Sequence, residues 1–72
     1  MFITLTNAAE KHKDDPIILN VNSIVSISRG NRVSEDKEVE ELTYIYMPPH
    51  GTWEVQETPE QILAMIKERN TI

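Results

Sequence analysis

Two histidines, one pair of adjacent aspartates, three closely spaced serines and a run of acids are the residues of this 72-residue chain whose types could do chemistry. His12 stands between Lys11 and Lys13 in a polar stretch, and His50 stands beside Gly51 after Pro48-Pro49, where a turn is expected. Neither has a carboxylate at a metal-ligand spacing, so neither reads as a zinc ligand or a general base. Asp14-Asp15 precedes Pro16, a pattern that caps turns more readily than it holds a cation. Ser23, Ser26 and Ser28 fall within a predicted strand and lack the glycine-flanked elbow that exposes a nucleophilic serine. Gly30 and Gly51 are the only glycines, too few for a phosphate-cradling loop. There is no cysteine, which removes disulfides, thiol catalysis and thiolate metal sites together. These residues predict no enzymatic activity, no metal and no cofactor.

The charge is concentrated rather than spread. The chain carries a formal −5, and Glu35, Asp36, Glu38, Glu40 and Glu41 with the single base Lys37 supply −4 of it. The rest of the chain is nearly neutral. The run is expected to be a solvated connection, or else a partner-binding acidic loop that meets a basic surface or acts as a decoy for one. A sequence pI near 4.8 argues against nonspecific phosphate binding, which lysine and arginine drive. A nucleic-acid face nevertheless remains as an alternative, built from Lys11, Lys13, Arg29 and Arg32 with Tyr44 and Tyr46 stacking on bases.

The elements that would position these residues are short. Residues 1–6 alternate as a strand, and residues 17–21 follow Pro16 as a second. Residues 23–29 read as a third strand, with Asn20-Val21-Asn22 as a turn before it and Gly30-Asn31 as a turn after it. Residues 31–41 form the acidic connection, an extended hairpin if Val33 and Val39 pair. Residues 42–47 are the strongest strand, rich in β-branched and aromatic side chains, and residues 52–57 alternate with Trp53 and Val55 inward. The two strands flank Pro48-Pro49-His50-Gly51 and predict a hairpin. Residues 59–69 predict a helix, with Thr58 as N-cap, Pro59 in the first turn, Gln61 at the capping-box position, Lys67 and Arg69 near the far end and Asn70 as the stop.

The expected fold is therefore α+β, a single domain over residues 1–72. It consists of a small, strongly bent antiparallel sheet or open barrel of about five strands, followed by one C-terminal helix. Residues 1–7 lack a basic region and a long apolar run, and no apolar stretch approaches the ~20 residues of a membrane span. A cytoplasmic protein without membrane insertion is the expectation. One helix covers part of one sheet face, whereas Phe2, Ile18, Ile24 and either the Tyr44/Tyr46 or the Ile45/Met47 row fall on a second face. Coverage of that face by another copy of the chain is expected, because small domains gain core by oligomerising. Trp53 is expected under Ile62 and Ile66, anchoring helix to sheet.

The layout resembles the short flagellar FlbD-type proteins. It shares an opening strand like Ile3-Thr4-Leu5-Thr6, an apolar-Leu-Asn stretch at Ile18-Leu19-Asn20 and an Ile-x-x-Ile strand at Ile24-Val25-Ser26-Ile27. Its helix entry, Val55-Gln56-Glu57-Thr58-Pro59-Glu60, is also similar, although the connections at residues 7–15 and 31–41 are longer than in that family. Similar small proteins occur in bacteria and phages. The strand order also resembles the dimeric RNA binders of the carbon storage regulator family, without their early arginine-rich strand end or basic closing strand. The resemblance and the residues together imply a non-enzymatic interaction module of bacterial or phage origin, acting as a homo-oligomer.

Overall fold

A computed structural model describes the backbone of residues 1–70 and the side chains of residues 1–68. Five antiparallel strands are followed by one helix, an α+β fold: β1 (Phe2–Thr6), β2 (Pro16–Asn20), β3 (Ser26–Val33), β4 (Val39–Met47), β5 (Gly51–Val55) and α1 (Pro59–Asn70). β1 pairs with β2 in one sheet, and β3, β4 and β5 form a second in that order. An antiparallel bridge, Asn7 opposite Val55, joins them. On either side of it the Gln56 amide donates to Thr6 O and the Ala8 amide to Glu54 O, both at 2.9 Å. The spatial order is thus β2-β1-β5-β4-β3. The two sheets meet only at this junction and do not close, and β2 and β3 are the strands farthest from it.

Strand alternation builds the core. Ile3 and Leu5 of β1, Leu19 of β2, Ile45 and Met47 of β4 and Val55 of β5 form the buried cluster, closed by Ile62 of α1. Trp53, Ile27, Met65 and Ile66 pack around it. The helix starts where its capping residues dictate: Gln61 N–H donates to Thr58 Oγ1 at 3.1 Å and Thr58 N–H donates to Gln61 Oε1 at 2.9 Å. This reciprocal pair satisfies two donors that a helix start otherwise leaves open. The helix continues through Asn70 rather than stopping before it. The expected charge contribution of Arg69 lies outside the described side chains.

Three expectations are corrected on the way into and along β3. The strand begins at Ser26 rather than Ser23, because Val21–Ser23 forms a 3-10 turn in which the Asn20 side chain accepts from Asn22 N–H. The turn alters the phase, so Ile24 packs against the core and is not on the second face. Val25 then donates to Tyr46 O at 2.9 Å although Ser26 is the register partner of Tyr46. Two residues opposite one is the geometry of a bulge. Finally, Gly30-Asn31 does not turn. β3 runs straight through both, with Gly30 opposite Leu42 and Asn31 opposite Glu41. The reason lies across the sheet: a Cβ at Gly30 would stand 2.0 Å from Cε2 of Tyr44, so the tyrosine ring occupies the space that a side chain would need. Glycine here admits an aromatic ring and is not a hinge.

The predicted acidic connection at residues 31–41 therefore shrinks to residues 34–38. The hairpin zips as far as Val33 opposite Val39. Ser34 O accepts from Lys37 N–H and Ser34 N–H donates to Glu38 O, both at 2.9 Å. Lys37 takes the left-handed conformation that closes the loop, at φ 65°. The 4–5 hairpin is formed as expected, with Met47 opposite Gly51. Of the predicted second face, Phe2, Ile18 and Tyr46 are exposed, whereas Ile45 and Met47 belong to the core.

Candidate functional site

The sequence-predicted site residues are parted by the alternation of the strands that carry them. Side chains of β3 and β4 that share the core-side face include Ile27, Arg29, Asn31, Val33, Val39, Glu41 and Thr43, and the opposite face carries Ser28, Gly30, Arg32, Glu40, Leu42, Tyr44 and Tyr46. Arg29 and Arg32 therefore point to opposite sides. Arg29 reaches over the core side to Glu60 of α1. The Glu60 carboxyl lies below the usual range chiefly through its own backbone N–H, with Arg29 and Thr58 adding to the effect.

Arg32 is the centre of an internal network on the opposite face. Its Nη1 donates to Glu54 at 2.9 Å, and its Nη2 to Glu40 at 3.0 Å and to the Ala8 carbonyl at 2.7 Å. Lys13 adds a second cation 3.6 Å from Glu40. The hydrogen bond from Arg32, followed by the charge of Lys13, holds the Glu40 carboxyl below the ordinary glutamate range. The bond to Glu40 raises Arg32 above its ordinary value, partly opposed by burial. Within this network β3, β4, β5 and the connection after β1 are tied together, and Nε of Arg32 is left buried without a partner. Two residues of the predicted basic edge, Lys13 and Arg32, are brought together here, but around a glutamate of the predicted acidic loop. Lys11 is exposed in the 3-10 turn Glu10–His12.

The acidic run is divided in the same way. Glu35, Asp36 and Glu38 stand exposed at the hairpin tip, Glu40 is spent on Arg32, and Glu41 faces the other side. Tyr44 is half-buried over Gly30, while Tyr46 is exposed. His12 and His50 are exposed in separate turns. Among the described residues no cluster of His, Cys, Asp or Glu is arranged to hold a metal ion. A recess of about 520 Å³, open to solvent, lies between Thr6, Gln56, Glu57 and the Gln61, Met65 and Glu68 side of α1. One of its two glutamates is already engaged: Glu57 accepts from Thr6 N–H and Thr6 Oγ1, each at 2.8 Å.

A feature that residue types did not flag is the outer edge of β3. Ser34 and Glu38 stand directly opposite, one step past Val33 and Val39, and are hydrogen-bonded. Antiparallel pairs alternate between bonded and non-bonded, so Ser26, Ser28, Gly30 and Arg32 direct their backbone groups toward β4. Ile27, Arg29, Asn31 and Val33 direct theirs outward. The same alternation holds across β5, where Glu54 and Gln56 face outward and bond to Ala8 and Thr6. Val33 and Val39, on the core-side face but past the end of the core, are 65% and 68% exposed. The signal that could have located this edge was the pairing of Val33 with Val39, which lengthens β3 to eight residues.

No family model, no curated protein and no solved structure matches the chain. Among the described residues no helix is long and apolar enough to cross a membrane.

Proposed function

We propose that this chain is a non-enzymatic protein-interaction module that works as a homo-oligomer, with the outer edge of β3 as its principal contact surface. The observation that carries the reading is that edge, eight residues long, without proline or lysine and with four outward-facing backbone positions. Natural sheets usually protect such an edge; here a bulge at Val25–Ser26 and the charge of Arg29 blunt it, and the outward backbone groups beyond the bulge remain a template for a further strand. The exposed valines of the hairpin and the exposed Phe2 and Ile18 add apolar surface that a monomer leaves in water.

The recess between Thr6 and α1 is open to solvent, whereas small-molecule sites bury most of their ligand, and this favours an interaction surface over a catalytic pocket. A nucleic-acid surface has less support, since Arg29 and Arg32 project to opposite faces and each is paired with glutamate. Bacterial or phage origin and a cytoplasmic location go with the FlbD-type resemblance. Sedimentation velocity over a range of concentrations tests the proposal. Association that grows with concentration is expected, and a monomer throughout contradicts it.

A further inference from the structure

The edge of β3 has a self-complementary register, and we infer that its partner is a second copy of this chain, docked antiparallel along β3 about a two-fold axis at Gly30. The inference rests on the interaction-module reading and narrows it to one strand and one alignment. The outward-facing positions Ile27, Arg29, Asn31 and Val33 are symmetric about Gly30. An alignment centred there sets Ile27 of one copy opposite Val33 of the other, and Arg29 opposite Asn31, with the same pairs repeated by symmetry. All four positions are used, which gives about eight main-chain hydrogen bonds.

The neighbouring two-fold alignments are worse for stated reasons. Centring on Arg29 sets that arginine against its own copy, and like charges directly opposite are destabilising. It also draws in Val25, where the bulge breaks the alternation. Centring on Asn31 places Arg29 opposite Val33 and leaves Ile27 against Glu35 of the acidic tip. The Gly30 alignment puts only Ser28 opposite Arg32 and serine opposite serine on the other face, so no like charges stand directly opposite, and the two Arg29 side chains are diagonal neighbours, each beside Glu60 of its own copy.

The side chains flanking the edge fit the same occupant. Glu60 reaches Arg29 on β3, and Leu63 lies three residues further along α1 on the same flank. Leu63 is 55% exposed. Val33 of a second copy, set opposite Ile27, comes alongside this flank, with Val39 of that copy beside it. Three apolar side chains that are exposed in one copy would thus be covered by the other.

The chain has no cysteine of its own, which makes oxidative cross-linking specific. R29C and N31C variants of the full chain are prepared separately, mixed and oxidised. A disulfide-linked dimer is expected in the mixture at about tenfold or more above either variant alone. Cross-linking of R29C alone or N31C alone to the same extent reports another alignment and overturns the inference. V33K provides a second reading that spares the fold, since Val33 is exposed; it should weaken association about tenfold or more. If the unmodified chain associates but neither variant set responds, the Gly30 alignment is wrong and the oligomer reading stands. If it stays monomeric, both fall.

Discussion

β2 and β3 are the outermost strands of the two joined sheets, yet they end them in different ways. β2 is five residues long, opens with Pro16, whose missing N–H removes a donor from its edge, and runs into the 3-10 turn at Val21–Ser23. β3 is eight residues long, has no proline, and keeps its alternation as far as Val33. Both carry apolar side chains in water: Ile18 on β2 and Val33 on β3 are exposed to nearly the same extent, 67% and 65%. Exposure of a single apolar residue therefore does not distinguish a docking edge from a protected one. Strand length and outward-facing backbone groups do. The largest expected effect follows from this contrast: V33K should weaken association about tenfold or more, and I18K should change it less than about twofold, as sedimentation equilibrium would show.

The next effect concerns what keeps β3 straight. Gly30→Ala would drive a methyl group into the Tyr44 ring and should cost about 1–3 kcal/mol in urea unfolding. Adding Tyr44→Ala should recover part of that loss, because the clash then has no second partner. A recovery would identify the ring as the reason a glycine sits mid-strand. Arg32→Met should follow, at about 1–2 kcal/mol, since it leaves Glu40, Glu54 and the Ala8 carbonyl without their shared donor.

The same network sets a pH dependence. The Glu40 carboxyl is depressed in the folded chain, so its contribution is present above the ordinary glutamate value of 4.5 and is lost as pH falls through the depressed one. Below about pH 4.5 the unmodified chain should lose stability more steeply than Arg32→Met, measured by denaturant unfolding across an acid series. The smallest effect belongs to the hairpin tip. Lys37→Gly should stabilise by about 0.5–1 kcal/mol, because Lys37 occupies a left-handed conformation at φ 65° that glycine adopts without strain.

How far these features could be read in advance depends on the distance over which they are encoded. The helix start was legible because Thr58 and Gln61 bond to one another across a single turn. The 4–5 hairpin was legible because its turn lies between two strongly β-forming segments. Gly30-Asn31 predicts a turn, and the chain runs straight through it because the reason for the glycine, the Tyr44 ring, lies on another strand. The shift of Ile24 into the core followed from a 3-10 turn and a bulge, which interrupt the period-2 count on which face assignments rest. The Arg32 network and the bond between Glu57 and Thr6 join residues up to 51 positions apart, so residue type alone placed Arg32 on a basic edge and Glu40 in an acidic loop. The candidate edge itself was legible only in the two valines that bracket the acidic run.

Hydrogen exchange of individual amides, followed from dilute to concentrated solution, tests the pairing most directly. With rising concentration the outward amides of Ile27, Arg29, Asn31 and Val33 should become protected, while Ile18 and Asn20 on β2 continue to exchange. The amides of Ser28, Gly30 and Arg32, already bonded to β4, should be protected at both extremes. Free exchange at Ile27, Arg29, Asn31 and Val33 at every concentration, or new protection confined to β2, would contradict docking along β3.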